Sequence, residues 1–129
     1  MLSKKNIFIV RHAQTIFNKE KIIQGQSLDY GLSAKGEKQA EMFYLTFKDF
    51  QFDKIYISGL KRTFYSVKNF INANVPYETM QELNEINWGK IEGSKLEDEI
   101  QSDYLNVIQK WKSGEYTAKI ENGESVLDV

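Results

Sequence analysis

The chain has 129 residues, a length that suits one domain, with 41% hydrophobic and 27% charged side chains, an ordinary globular balance that argues against disorder. Its 17 Lys and Arg against 18 Asp and Glu leave a formal charge of -1; without a basic block or a basic, aromatic-lined face, nucleic acid is disfavoured as a partner. There is no cysteine, which excludes disulfides, thiolate metal sites and cysteine nucleophiles.

The N-terminal segment runs into only four consecutive apolar residues, Ile7 to Val10. That is too short for a signal-peptide core or a membrane span, so the expectation is a soluble, cytoplasmic protein with no membrane partner. The run is rich in β-branched residues and predicts a strand buried on both faces, as in a parallel sheet. Ser33 predicts the cap of a helix over roughly 34–49, with Ala40, Phe43, Tyr44 and Phe47 at helical spacing. A second short strand is expected at 54–58. A helix follows from about Leu60, carrying Phe64, Val67 and Ile71 on one face. A third strand falls within 75–80, after the only proline, Pro76. Residues 82–94 read as irregular. Ser94 is expected to cap a longer helix whose buried stripe is Leu96, Ile100, Tyr104, Val107, Ile108 and Trp111. Phe and Tyr at such spacing are core residues in most cases, and no cofactor role is claimed for them. Strand alternating with helix predicts a single domain over 1–129. Its fold class is α/β, three layers, with a mainly parallel sheet and helices on both faces.

Three places could carry chemistry. Arg11-His12 follows the first expected strand, and ligands of α/β sheets bind at the carboxyl ends of strands. A lone histidine is ordinarily a surface or core-edge imidazole. Here a guanidinium stands beside it, and a polar loop with Gln14, Thr15, Asn18, Gln24 and Gly25 follows; such groups can hold phosphate oxygens. Arg62 falls near the start of a helix after the second strand, where the helix dipole also favours an anion. Alone it could equally be a solvated arginine paired with an acid. Glu85 lies in an irregular stretch closed by Gly89 and Gly93. Alone it reads as a loop carboxylate, but an acid held there could protonate a leaving oxygen.

Together these segments resemble the histidine phosphatase, or phosphoglycerate mutase-like, superfamily. Arg11-His12-Ala13-Gln14-Thr15 with Asn18 is similar to its Arg-His-Gly-Glu/Gln-Thr motif and following Asn. Leu32-Ser33, Gly36 and Gln39-Ala40 resemble its Leu-Thr…Gly…Gln-Ala segment. Ser58 to Arg62 resembles its second arginine motif, Glu85 to Gly93 its Glu…Gly…Glu-Gly segment, and Gly123-Glu124-Ser125 a further Gly-Glu-Ser motif. The matches run in family order over almost the whole chain.

The resemblance implies phosphoryl transfer through a phosphohistidine on His12. Glu85 would be proton donor and then base, and Arg11, Arg62 and Asn18 would hold the phosphoryl oxygens beside Gln24 and Gly25. It implies a small phosphorylated substrate and neither metal nor other cofactor. Hydrolysis of phosphate monoesters is the first reading, since Glu85 to Gly93 looks more like the broad phosphatases. A mutase-type phosphoryl shift is the second.

The sequence departs from the family pattern at Ala13, where glycine is usual, and at Gly31 and Gly59, where proline is frequent. The resemblance also implies a second histidine past a further strand, whereas the chain contains one His. Glu124 to Val129 reads as the start of a helix. The expectation is a domain shortened before that histidine. It would lack a phosphoryl donor worth about 2.7–4 kcal/mol and expose a sheet edge through which it could self-associate. A non-catalytic phosphate-ester binding module is therefore the alternative of a different class.

Overall fold

The computed structural model describes residues 4–129; the first three residues of the N-terminal segment lie outside it. Two helices begin at side-chain caps. Thr15 caps a one-turn helix α1 (Ile16–Lys19) through a reciprocal box with Asn18. Ser33 caps α2 (Ala34–Phe47) by accepting from the Gly36 amide at 3.1 Å, which satisfies a donor the helix itself leaves open. Then come β1 (Ile55–Ile57), α3 (Lys61–Asn72), β2 (Tyr77–Thr79) and, beyond two short 3-10 turns at Gln81–Leu83 and Gly89–Ile91, α4 (Asp98–Lys112). Among the described residues no helix is long and apolar enough to cross a membrane.

The fold is mixed α/β, and β1 and β2 pair in parallel with Ile55, Tyr56 and Ile57 opposite Tyr77, Glu78 and Thr79. The right-handed logic of a strand–helix–strand unit accounts for α3 between them. Three expectations are corrected. Ile7 to Val10 forms no strand and belongs to no sheet. Its hydrophobicity met the requirement for a buried strand, but a strand also needs a backbone partner, and none pairs with it among the described residues. The last helix starts at Asp98, not after Ser94. The Ser94 backbone is engaged instead, accepting from Ile23 N at 2.9 Å beside the Ile22–Lys95 bridge, and Leu96 stays exposed ahead of the helix. Residues 126–128 form a single turn rather than a helix, with the Asp128 carboxylate accepting from both the amide and the hydroxyl of Ser125.

Two apolar clusters hold the chain. In the first, α2 lies on α3, where Phe43, Tyr44 and Phe52 pack around Phe70, which is 3% exposed. In the second, Ile91, Val107 and Ile120 are buried beneath Trp88, Tyr104 and Trp111. Of the expected stripe of α4, Ile100, Tyr104, Val107 and Trp111 pack in this cluster, while Leu96 lies outside it; the indole N–H of Trp111 donates to Ala118 O at 2.7 Å.

Gly36 fixes how closely α2 approaches the His12 loop. A Cβ at this position would sit 2.0 Å from the Gln14 carbonyl oxygen. Alanine is the better helix former by about 1 kcal/mol, so two effects of opposite sign compete. The clash is with backbone and cannot be relieved by a rotamer, so it dominates. Gly36→Ala is expected to destabilise the chain by about 1–3 kcal/mol, read from the urea midpoint. A midpoint shifted upward would mean that α2 is free to move off the loop.

Candidate active site

A cavity of about 280 Å³ opens at the carboxyl end of β1, lined by His12, Ser58, Leu60, Arg62, Thr63, Leu83, Asn84 and Glu85. Each of the three sequence segments singled out for chemistry reaches it. His12 comes from the end of the Ile7–Val10 run. Arg62 comes from the first turn of α3. Glu85 comes from the segment between the two 3-10 turns.

The His12 ring is half-buried, and its Nδ1 lies 2.8 Å from its neighbour's carbonyl, Ala13 O. A carbonyl oxygen can only accept, so this contact holds the proton on Nδ1 and leaves the lone pair on Nε2. Burial pushes the imidazole below its ordinary value; the Ala13 hydrogen bond opposes this, Arg62 and Arg11 add to it, and Glu85 opposes it. The net direction favours the neutral ring, the form with a nucleophilic lone pair. The backbone around it is fixed from two sides. Ala13 N donates to Ser66 Oγ at 2.8 Å, and Gln14 N donates to Gln39 Oε1 at 2.9 Å.

Arg62 is 1% exposed. Its Nη2 donates to Gly25 O at 3.1 Å and its Nη1 to Leu28 O at 3.3 Å. These bonds use part of the five-donor guanidinium and lock its plane. Burial lowers its pKa, and Asp29, Glu85 and Glu92 oppose the shift; an arginine so placed remains a cation.

Other predicted residues serve from outside the cavity. Gly25 is a point of close approach, since a Cβ there would meet Glu92 and Ile86 O within 2.6 Å. The amide of Gln24 is occupied at both ends, accepting from Thr15 Oγ1 at 2.7 Å and donating to Leu28 O at 3.2 Å. Asn18 uses its Oδ1 on Thr15 N. Arg11 is exposed and acts on His12 through its field.

Sequence reasoning missed the residues that hold the loops. Glu92 accepts from Trp88 N at 2.9 Å and from Ser27 N at 3.0 Å. Glu124 accepts from Asn87 N at 2.8 Å and from Gln26 Nε2 at 2.9 Å. The two carboxylates tie the stretch after Glu85 to the loop that carries Gly25. Asn84 Oδ1 accepts from Gly59 N at 2.8 Å, fixing Glu85 at the end of β1. Thr63 and Asn84 also line the cavity, and nothing in their sequence spacing separates them from ordinary surface residues.

A buried arginine, a neutral imidazole and a carboxylate around one cavity are the ingredients of phosphoryl transfer. Residues 7–129 match the Histidine phosphatase superfamily (branch 1), and the chain belongs to that family. It is 37% identical over 127 residues to the fructose-2,6-bisphosphatase TIGAR of Bos taurus, covering 93% of this chain and 44% of that protein. It is 28% identical over 123 residues to a 2,3-bisphosphoglycerate-dependent phosphoglycerate mutase of Cytophaga hutchinsonii, covering 93% of this chain and 57% of that one. Among solved structures, the alpha-ribazole phosphatase from Shigella flexneri superposes with a TM-score of 0.75 at 27% identity, covering 92% of this chain and 58% of that chain. The chain therefore spans about half the length of the curated relatives it matches.

Proposed function

We propose that this chain carries the phosphoryl-accepting half-site of a phosphatase acting on small phosphate monoesters, with His12 as the acceptor. The observation that carries the reading is the convergence of His12, Arg62 and Glu85 on one cavity. In the proposed first step, Nε2 of neutral His12 attacks phosphorus. The P–O bond to the alcohol breaks, and Glu85 gives its proton to the departing oxygen. In the second, Glu85 takes a proton from water, whose oxygen displaces the Nε2–P bond and releases inorganic phosphate. Arg62 neutralises the charge spread over the equatorial oxygens. Arg11 adds positive potential from outside, Asn18 supports the loop that faces the phosphoryl, and Gln24 and Gly25 shape it.

Phosphatase is favoured over mutase because Glu85 to Gly93 looks more like the broad phosphatases. A second reading rests on the single His of the sequence: the chain binds phosphate esters without turning them over.

Because His12 is the only histidine, its ring proton resonances report on one group. Its titration midpoint is expected below 6.5, the direction that burial and Arg62 impose. The nucleophilic form is then present above that midpoint and lost as pH falls through it. Inorganic phosphate should move the midpoint upward, since a neighbouring dianion favours imidazolium. Arg62→Met should remove that response. Resonances indifferent to phosphate would refute both readings, whereas a response without any phosphohistidine would select the binding module.

A further inference from the structure

The turn of α3 that carries Arg62 has no cap of its own. Its N-cap residue is Leu60, whose side chain makes no capping bond, and the amides of a first helical turn find no partner within the helix. The acceptor comes from a loop 32 residues earlier in the chain: Lys61 N donates to Asp29 Oδ2 at 2.7 Å. The same loop grips the guanidinium, since Leu28 O and Gly25 O accept from Arg62 Nη1 and Nη2. One loop therefore fixes both the backbone and the head group of Arg62.

A cap needs only an acceptor. Asparagine and serine serve about as well as aspartate, yet here the acceptor is a carboxylate placed beside the cation of the cavity. Its second oxygen, Oδ1, is buried and has no hydrogen-bond partner among the described residues, so hydrogen bonds leave part of the charge uncompensated. Among the acids acting on Arg62, Asp29 has the largest effect, ahead of Glu85 and Glu92. It acts through its field, because Arg62 forms no direct ion pair among the described residues. Nor is that field needed to keep Arg62 protonated, since a guanidinium stays charged in proteins. What the carboxylate does change is the potential that an incoming anion meets.

Resting on the reading that Arg62 receives the phosphoryl group, we propose that Asp29 is a positioning residue that sets the phosphate affinity of the cavity through two opposed effects. Its Oδ2 holds the first turn of α3 where Arg62 meets the anion. Its negative charge holds the affinity down, so that inorganic phosphate, the product, is let go. A site built for the tightest anion binding would keep the cap and discard the charge.

The test titrates inorganic phosphate into the 129-residue chain and follows the His12 ring resonances. Asp29→Asn keeps an oxygen acceptor of the same shape for Lys61 N and removes the charge; it should bind phosphate roughly tenfold more tightly than the parent chain. Asp29→Ala is as neutral as Asp29→Asn but lacks the acceptor; it should bind roughly tenfold more weakly than Asp29→Asn. A purely structural Asp29 would give losses in both variants, so tightening in Asp29→Asn is the outcome that only the charge produces. Asp29→Asn binding no tighter than the parent, or Asp29→Ala binding as tightly as Asp29→Asn, would overturn the proposal. Should alanine prevent folding, the parent chain decides the positioning effect: its Lys61 amide should exchange with solvent as slowly as the amides inside α3, and free exchange would overturn it. Arg62→Met separates the proposal from the reading beneath it. A phosphate response that survives Arg62→Met takes both down, whereas a response lost there but not tightened in Asp29→Asn sinks this proposal alone.

Discussion

Replacement of His12 by alanine is expected to abolish acid-labile labelling of the chain by a reactive phosphate donor such as acetyl phosphate. The expected loss is complete, because no other imidazole exists in the sequence and a carboxylate or hydroxyl ester of phosphate has a different stability to acid and base. The geometry explains why His12 should accept phosphorus readily. Nδ1–H donates to Ala13 O, so Nε2 carries the lone pair without a separate base, and burial favours the neutral ring. Exposed Lys and Arg residues remote from the cavity should be silent in the same experiment, with Lys112→Ala as a convenient control. Label of the same lability persisting in His12→Ala would remove His12 from the chemistry and leave the cavity as a binding site only.

Glu85→Gln should separate substrates by their leaving groups. An alkoxide leaving from a sugar-type phosphate needs a proton as the P–O bond breaks, and a positioned acid contributes about 10²–10⁴-fold to such a step. A nitrophenolate leaves well without one. Single-turnover transfer to His12 should therefore slow by about 10²–10⁴ for alkyl esters and much less for the aryl ester. Single turnovers are required because release of phosphate from His12 uses the same carboxylate as base. Equal losses on both esters would show that Glu85 balances Arg62 and His12 electrostatically, a role its charge already plays, and another carboxylate would have to supply the proton.

What could be read in advance divides along a physical line. Features set by neighbours in sequence were legible: Ser33 capping α2, the Ile100 to Trp111 part of the α4 stripe, and the polar loop after His12. The same holds for the three residues that meet at the cavity, because each follows or precedes a short apolar run and the fold brings such ends together. Features set by distant partners were not. Ile7 to Val10 has the composition of a strand, but pairing depends on another segment. Gln24 has the chemistry of a phosphate ligand, yet its amide is occupied by Thr15 and Leu28. Glu92 and Glu124 stood in recognisable motifs, but their task of accepting backbone amides from a distant loop was not readable there. Ser94 could cap a helix, but its backbone joined the bridge to Ile22 and Ile23.

The two apolar clusters have a consequence for how activity should fail under stress. The His12 loop is anchored on α2 and α3 at the Phe43–Phe70 side, whereas the stretch after Glu85, and through Glu92 and Glu124 the loop that holds the Arg62 guanidinium, lead into the Val107–Ile120 side. Cooperative units of this kind can open separately, each with its own free energy. If the α4 unit opens first, mild denaturant would loosen Glu85 and the Arg62 guanidinium together: proton delivery and anion capture would fade in step, while the His12 loop keeps its place on α2 and α3.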